Sequence, residues 1–183
     1  MTTAVIEKKK YTYADYIKTP DDKQYELIEG DLLMTPSPAP NHQRISRKLG
    51  FVLEEFVTQN SLGEIFYAPC DVYLDEENVV QPDILFISQS RLAIIGEKNI
   101  QGAPDLAIEI VSESSAYRDM VRKKRLYAGF GVKEYWIVIP DGKVIEIYTL
   151  KGNAYQLHKS YNEEDILKSP ALKGLNIALQ RML

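Results

Sequence analysis

Cysteine is nearly absent. Cys70 stands alone among 183 residues, so no disulfide can close within the chain and no cysteine-based zinc site can form. It reads as a small core or half-buried residue. Long apolar runs are also missing: nothing approaches the ~18 residues a membrane helix needs, and the opening MTTAVIEKKK has no apolar leader stretch. The expectation is a cytoplasmic protein without membrane contact. Basic excess is missing too, and a net charge of −4 argues against a strong general affinity for polyanions. That charge is polarised, with RKKR at 122–125 set against LDEEN at 74–78 and NEED at 162–165. There is no G-x-x-x-x-G-K-S/T loop, G-x-G-x-x-G turn, G-x-S-x-G elbow or H-E-x-x-H helix, so phosphate-loop, dinucleotide, serine-hydrolase and zincin chemistries lack their motifs.

What is present fits a globular chain, 45% hydrophobic and 26% charged, without repeats or a linker long enough to divide it. Residues 1–10 read as a flexible tail and 11–183 as a single domain. TYADYIKTP, with Thr12 and Asp15 in capping positions, predicts a short bracing helix that ends at Pro20. YELIEGDLLM alternates on both sides of Gly30, as a β-hairpin does. A proline-spaced loop then leads to a proposed N-cap at Asn41 and a long helix whose stripe of Ile45, Leu49, Val52, Leu53 and Phe56 should cover a sheet, leaving Arg44, Lys48 and Glu55 outside. About three strands are expected in EIFYAPCDVYLDEENVVQPDILFIS, with DEEN as a turn, and another in APDLAIEIVS. YRDMVRKKRLYAGFG predicts a second helix, and EYWIVIP, KVIEIYTL and AYQLHKS three closing strands, while LKGLNIALQRML is ambiguous. The fold class is α/β, a central mixed β-sheet flanked by helices.

One residue in that pattern is out of place. Leu106, Ala107, Ile108, Ile110 and Val111 make a strand buried on both faces, with Glu109 in its middle. A lone buried carboxylate is costly, so it must be protonated, paired or bound to metal. Asp83 opens the apolar strand QPDILFI, and if the two strands pair, both acids converge as they do around Mg²⁺. The plainer alternatives are that Asp83 finishes a turn after Pro82 and that Glu109 pairs with a basic side chain from a covering helix. Asp119, Lys123 and Tyr127, four apart, share one helix face, and Lys123 could reach back to Glu109 or simply pair with Asp119 at the surface.

YELIEGDLLM, PSPAPNHQRI, QPDILFI, PDLAIEIVSESS, RDMVRKKRLYAGFGVKEYWIVIP and SPALKGL resemble, in order and spacing, the Uma-two family, which is similar to the PD-(D/E)XK restriction-endonuclease superfamily. The resemblance implies a restriction-endonuclease-like core. It matches Asp83 to the aspartate of the PD element and Glu109 to the acid of the (D/E)XK element. Val111 stands where that motif has lysine, and the resemblance gives the lysine's place to Lys123. It also makes Glu26 a candidate supporting acid, with a solvated strand residue as the alternative.

His42, at the start of the long helix, could meet a phosphate or be a packing residue, and His158 reads as structural. Trp136 and the tyrosines fit buried strand faces better than a stacking platform. The activity implied is Mg²⁺-dependent hydrolysis of DNA phosphodiesters, with Mn²⁺ as a possible substitute. Asp83, Glu109 and the neighbouring backbone carbonyl would hold metal, Lys123 would orient or deprotonate water, and RKKR, Arg44 and Lys48 would meet the substrate's charge. A C2 homodimer is the expected assembly for cutting both strands. The rival reading is a non-catalytic nucleic-acid-binding or protein-interaction module that kept the fold and its acids.

Overall fold

A computed structural model describes residues 9–20 and 22–183. Residues 1–8 of the expected tail lie outside the described residues. Where the tail joins the fold, Lys10 pairs with Glu77 at 2.6 Å and the Tyr11 N–H donates to the Gly30 carbonyl. The expected capping box forms at helix α1 (Tyr13–Tyr16), where the Asp15 carboxylate accepts the Thr12 N–H. Strands β1 (Gln24–Ile28) and β2 (Asp31–Thr35) make the expected hairpin. Its two turn residues, Glu29 and Gly30, both have positive φ, the geometry whose twist suits a two-residue hairpin.

Helix α2 (Pro40–Gln59) is capped by Ala39, not Asn41 as expected. Pro40 takes the first helical position, where a missing N–H costs nothing and its fixed φ already suits the helix, so the helix starts before the polar residue. Beyond it lie β3 (Gly63–Tyr67), β4 (Val72–Asp75), β5 (Asn78–Val80) and β6 (Ile84–Ser88), four strands where about three were expected, with DEEN as the turn between β4 and β5. Short β7 (Ile100–Gln101) precedes β8 (Leu106–Ile110), all five of whose residues are buried. A π-helical turn, Arg118–Lys123, runs into helix α3 (Lys124–Gly129). Then come β9 (Glu134–Ile139), β10 (Val144–Lys151), β11 (Ala154–Asn162), β12 (Ile166–Leu167) and β13 (Ile177–Ala178). The ambiguous C-terminus resolves as β13 followed by a 3₁₀ turn, Leu179–Arg181.

The strands form two main sheets rather than one. The larger has the order β11-β10-β9-β8-β6-β3, and β8 and β9 run parallel at its centre. The second has the order β2-β1-β5-β4-β7. Its β1–β2 hairpin showed in the alternation of the sequence, but β4, β5 and β7 are too short to give a periodic signal of the sheet they complete. On one face of the larger sheet, Ile45, Leu49, Leu53 and Val57 of α2 pack on Ile84, Phe86, Ile108 and Trp136. On the other face, Leu126 and Tyr127 of α3 meet Leu85, Ala107 and Ile137 together with Ile28, Val72 and Val80 of the second sheet. A strand at the centre of that stack sees protein on both sides, so every polar side chain it carries needs a partner.

Asp105 shows the rule at the entry to β8. It is buried, accepts the Ser88 N–H at 2.9 Å, and pairs with Lys133 at 2.6 Å and Arg91 at 3.2 Å. Burial pushes its carboxyl up, but Lys133, Ser88 and Arg91 outweigh this and hold it below the ordinary 3.8. A depressed folded-state value stabilises above the unfolded one and is lost as pH falls through the folded one. Asp105→Asn should therefore cost about 1–3 kcal/mol at neutral pH, read by urea denaturation. The gap to the unsubstituted protein should close as pH falls below 3.8.

Candidate active site

Two acids meet at the end of the β6–β8 ladder. The last paired residues are Ile84 and Ile108, and one step further the same antiparallel register sets Asp83 opposite Glu109, on one face of the sheet. The Asp83 carboxylate accepts the Ile110 N–H at 2.7 Å and lies 3.1 Å from His42 Nε2, both on Oδ2. Asp83 thus clamps the end of β8, which is more than finishing a turn after Pro82. Glu109 is 3% exposed and accepts the Lys123 ammonium at 2.8 Å and the Tyr127 hydroxyl at 2.7 Å, both on Oε1. The metal and ion-pair readings are therefore compatible: the ion pair is present, and Asp83 Oδ1 and Glu109 Oε2 take no hydrogen bond from the described residues.

Lys123 is the centre of the arrangement. It is 1% exposed, 2.7 Å from Glu26 of β1, 2.8 Å from Glu109 of β8 and 3.9 Å from Asp119. Asp119, Lys123 and Tyr127 do share a face, although the first two stand on a π-helical turn and not on the α-helix the spacing predicts. The wider turn is of a kind that collects at functional sites. Lys124 points elsewhere, its ammonium 3.3 Å from the Tyr148 ring centroid. Burial opposes the charge on Lys123, but Glu109, Glu26 and Asp119 outweigh it and hold the ammonium above its ordinary 10.5. Burial also raises Glu109 well above 4.5, and repulsion from Asp119, Asp83 and Glu26 adds to the rise that Lys123 resists. In this cluster the lysine stays charged, while burial and the neighbouring acids favour the protonated form of Glu109.

Sequence reasoning missed Arg118. Its guanidinium lies 3.5 Å from Glu26 and 3.4 Å from Asp119, and it lines the cleft beside them. No spacing signal sets it apart, since its role depends on the second sheet bringing Glu26 to the helix. Glu26 itself is buried, not solvated: Oε1 accepts the Gln81 N–H as well as Lys123, while Oε2 accepts no hydrogen bond from the described residues. Nδ1 of His42 is likewise buried, with no hydrogen-bond partner among the described residues. For His42 burial lowers the basicity, but the Asp83 hydrogen bond and charge raise it above the ordinary 6.5. His158 is exposed on β11, away from this cleft, and Trp136 is buried in the core.

The expected substrate-facing RKKR run is corrected by its partners. Arg122 binds the Ile28 carbonyl at 2.8 Å and Asp31 at 3.1 Å, Arg125 pairs with Glu29, Lys123 is buried, and Lys124 covers Tyr148. The run ties the helix to the hairpin turn. The cleft itself, of about 630 Å³, carries six carboxylates (Glu26, Asp83, Glu109, Glu113, Asp119 and Asp141) against two fixed cations, Arg118 and Lys123. Such an excess attracts a divalent ion and repels a polyanion. Among the described residues no group of three or more His, Cys, Asp or Glu side chains is arranged to hold a metal. Mg²⁺, however, commonly takes only one or two carboxylates and keeps its waters. Asp83 and Glu109, each with one oxygen without a donor, fit that demand.

A family profile described as Uma2, "Putative restriction endonuclease", matches residues 12–180. A crystal structure described as "a putative nuclease belonging to DUF820", from Anabaena variabilis, is 19% identical and superposes with a TM-score of 0.79, covering 93% of this chain and 96% of that one. At that identity the likeness shows the fold, and the fold is that of the restriction-endonuclease-like α/β reading. No curated protein matches.

Replacing Lys123 with Met leaves three buried carboxylates facing only Arg118. The loss should be about 3–5 kcal/mol at neutral pH. Carboxylates left in that position have folded-state pKa values above their unfolded ones, so the deficit shrinks as pH falls. Chemical denaturation across pH reads both. Glu109→Gln, which keeps an acceptor for Tyr127 and removes a repelling charge, should hold or raise the melting temperature of the metal-free protein.

Proposed function

The chain belongs to the Uma2 family, and from that premise we propose that it is a metal-dependent endonuclease that hydrolyses phosphodiester bonds of DNA. The observation that carries the reading is the meeting of Asp83 and Glu109 at one register step, beside a buried lysine, in a cleft with surplus negative charge. Asp83 and Glu109 would hold Mg²⁺, or Mn²⁺ in its place. When bound, the ion would polarise the scissile phosphate and lower the pKa of a coordinated water. Tyr127 fixes the Glu109 carboxylate by its hydroxyl, and the Ile110 N–H does the same for Asp83.

Lys123 serves in this proposal as a fixed cation. Its ammonium is held above its ordinary value by three acids, so at neutral pH it has no lone pair with which to take a proton from water. It orients water and offsets developing charge, which leaves water deprotonation to another group. Glu26 and Asp119 position that ammonium, and Arg118 holds those two acids. The surplus charge sets an order: DNA should engage the cleft only after a divalent ion has reduced its negative potential. For a duplex, a C2 homodimer would provide the second cut. A monomer by light scattering would limit each molecule to one strand.

Calorimetric titration with Mn²⁺ and a plasmid-nicking assay test the proposal together. The protein should bind Mn²⁺ and nick DNA with Mg²⁺ or Mn²⁺, while Asp83→Asn and Glu109→Gln lose both properties. Lys123→Gln should still bind Mn²⁺ and cut about 10²-fold more slowly or worse, and Lys124→Ala should cut as the parent does. Absence of metal binding by the folded parent protein would favour the interaction-module reading.

A further inference from the structure

A second groove, of about 410 Å³, runs from the acidic cleft along the surface of α2. The two share Gln43, Ala68 and Asp83, so they adjoin at the mouth of the acidic cleft. Its character is different. Phe51 is 67% exposed and Tyr67, on edge strand β3, is 40% exposed, so two aromatic rings stand open to solvent. Most other large aromatic side chains in the larger sheet are used in packing, as Trp136 and Tyr135 are at 0% exposure. Tyr67 departs from the sequence-based expectation that the tyrosines fill buried strand faces.

The backbone is adapted to that ring. Gly50 sits inside α2, where glycine costs about 1 kcal/mol relative to alanine. A Cβ at this position would overlap the Tyr67 ring. Glycine here lets the ring lie against the helix and form a wall of the groove, with Phe51 adjacent along the chain. The cations stand on the same helix. Arg47 lines the groove one turn before Phe51, and among the described residues neither Arg47 nor the neighbouring Lys48 makes an ion pair. Gln43 and Ser46 add polar groups along the wall, and Glu54 adds a carboxylate besides the shared Asp83.

We propose that this groove holds an unpaired nucleobase of the strand whose phosphate enters the acidic cleft, so that the substrate is DNA with a single-stranded stretch at the point of cutting. Open aromatic faces take any base by stacking, and cations beside them take the adjoining phosphates. A base inside a duplex has its faces covered by its neighbours and would have to be unstacked and unpaired first, a cost that an already unpaired base avoids. This rests on the endonuclease reading for the identity of the strand, but base binding and cleavage are read separately.

The experiment is fluorescence anisotropy with a short labelled oligothymidine and an abasic strand of the same length, in Ca²⁺ so that binding is observed apart from cleavage. The unsubstituted protein should bind the base-bearing strand about tenfold more tightly. Tyr67→Phe should keep that preference. Phe51→Ala combined with Tyr67→Ala should bind both strands alike, and Arg47→Ala should weaken both and flatten the salt dependence. Equal binding of the two strands by the unsubstituted protein, or binding of neither, would overturn the proposal, the latter leaving the groove to a protein partner. Loss of base preference in the aromatic variants would uphold it even if no DNA were cut under any metal, an outcome that would fall on the endonuclease reading alone.

Discussion

The arrangement turns on one buried ammonium. A lysine at 1% exposure is tolerable only where anions replace its lost water, and here they come from three elements: Glu26 from the second sheet, Glu109 from the central strand and Asp119 from the helix itself. The contact therefore fixes three layers at once. It holds the second sheet against the first and sets the rotation of the helix between them, so Tyr127 and Arg118 arrive beside the same carboxylates. An apolar side chain in its place could fill the volume, but would leave the acids to find protons. The cluster retains more acid than base, and that imbalance joins the stability of the fold to the proposed affinity for a divalent ion.

Asp83 and Glu109 were legible because a strand buried on both faces reads as a continuous apolar run. A carboxylate inside an unbroken apolar run breaks the pattern, and the strand register follows once the two runs pair. Lys123 was legible from the four-residue spacing to Asp119 and Tyr127, which survives the change from α to π because both windings return roughly to the same face after four residues. Charge runs were less transparent. RKKR looks like a solvated patch in a linear reading, yet its partners lie on the hairpin turn and on β10, both distant in sequence. Arg118 and most of the second sheet were hidden for the same reason: strands of two to four residues such as β4, β5 and β7 give no periodic signal, and the contacts that join Arg118 to Glu26, an acid already proposed from the resemblance, exist only after both sheets assemble.

The position of the lysine has a physical consequence for the central strand. Val111, where the related motif has lysine, is packed with the apolar cluster beneath α3. With the cation supplied from the helix, β8 stays apolar up to the single acid it must carry, and the ammonium approaches that acid from the layer above. The approach then depends on how α3 and the preceding turn sit on the second sheet. Arg122 and Arg125 anchor that helix to Ile28, Glu29 and Asp31 at the hairpin. The two arginines of the basic run thus secure the geometry of the site from outside it, while Lys123 of the same run stands at its centre.

That division of labour explains how an acidic chain can be consistent with a nucleic-acid substrate. The cleft's own carboxylates outnumber its cations, so attraction for a polyanion must be supplied by a bound divalent ion and by the outer face of α2. Arg44 and Lys48 were read from sequence as facing outward, and Arg47 beside them lines the groove. The helix that packs the core through Ile45, Leu49 and Leu53 therefore presents its opposite side, with Arg47, Phe51 and Glu54, along the groove that reaches Asp83. His42, at its first turn, touches Asp83 directly. One helix consequently supports the sheet, positions an acid and borders the path to it, so a substitution on its buried face would disturb all three together.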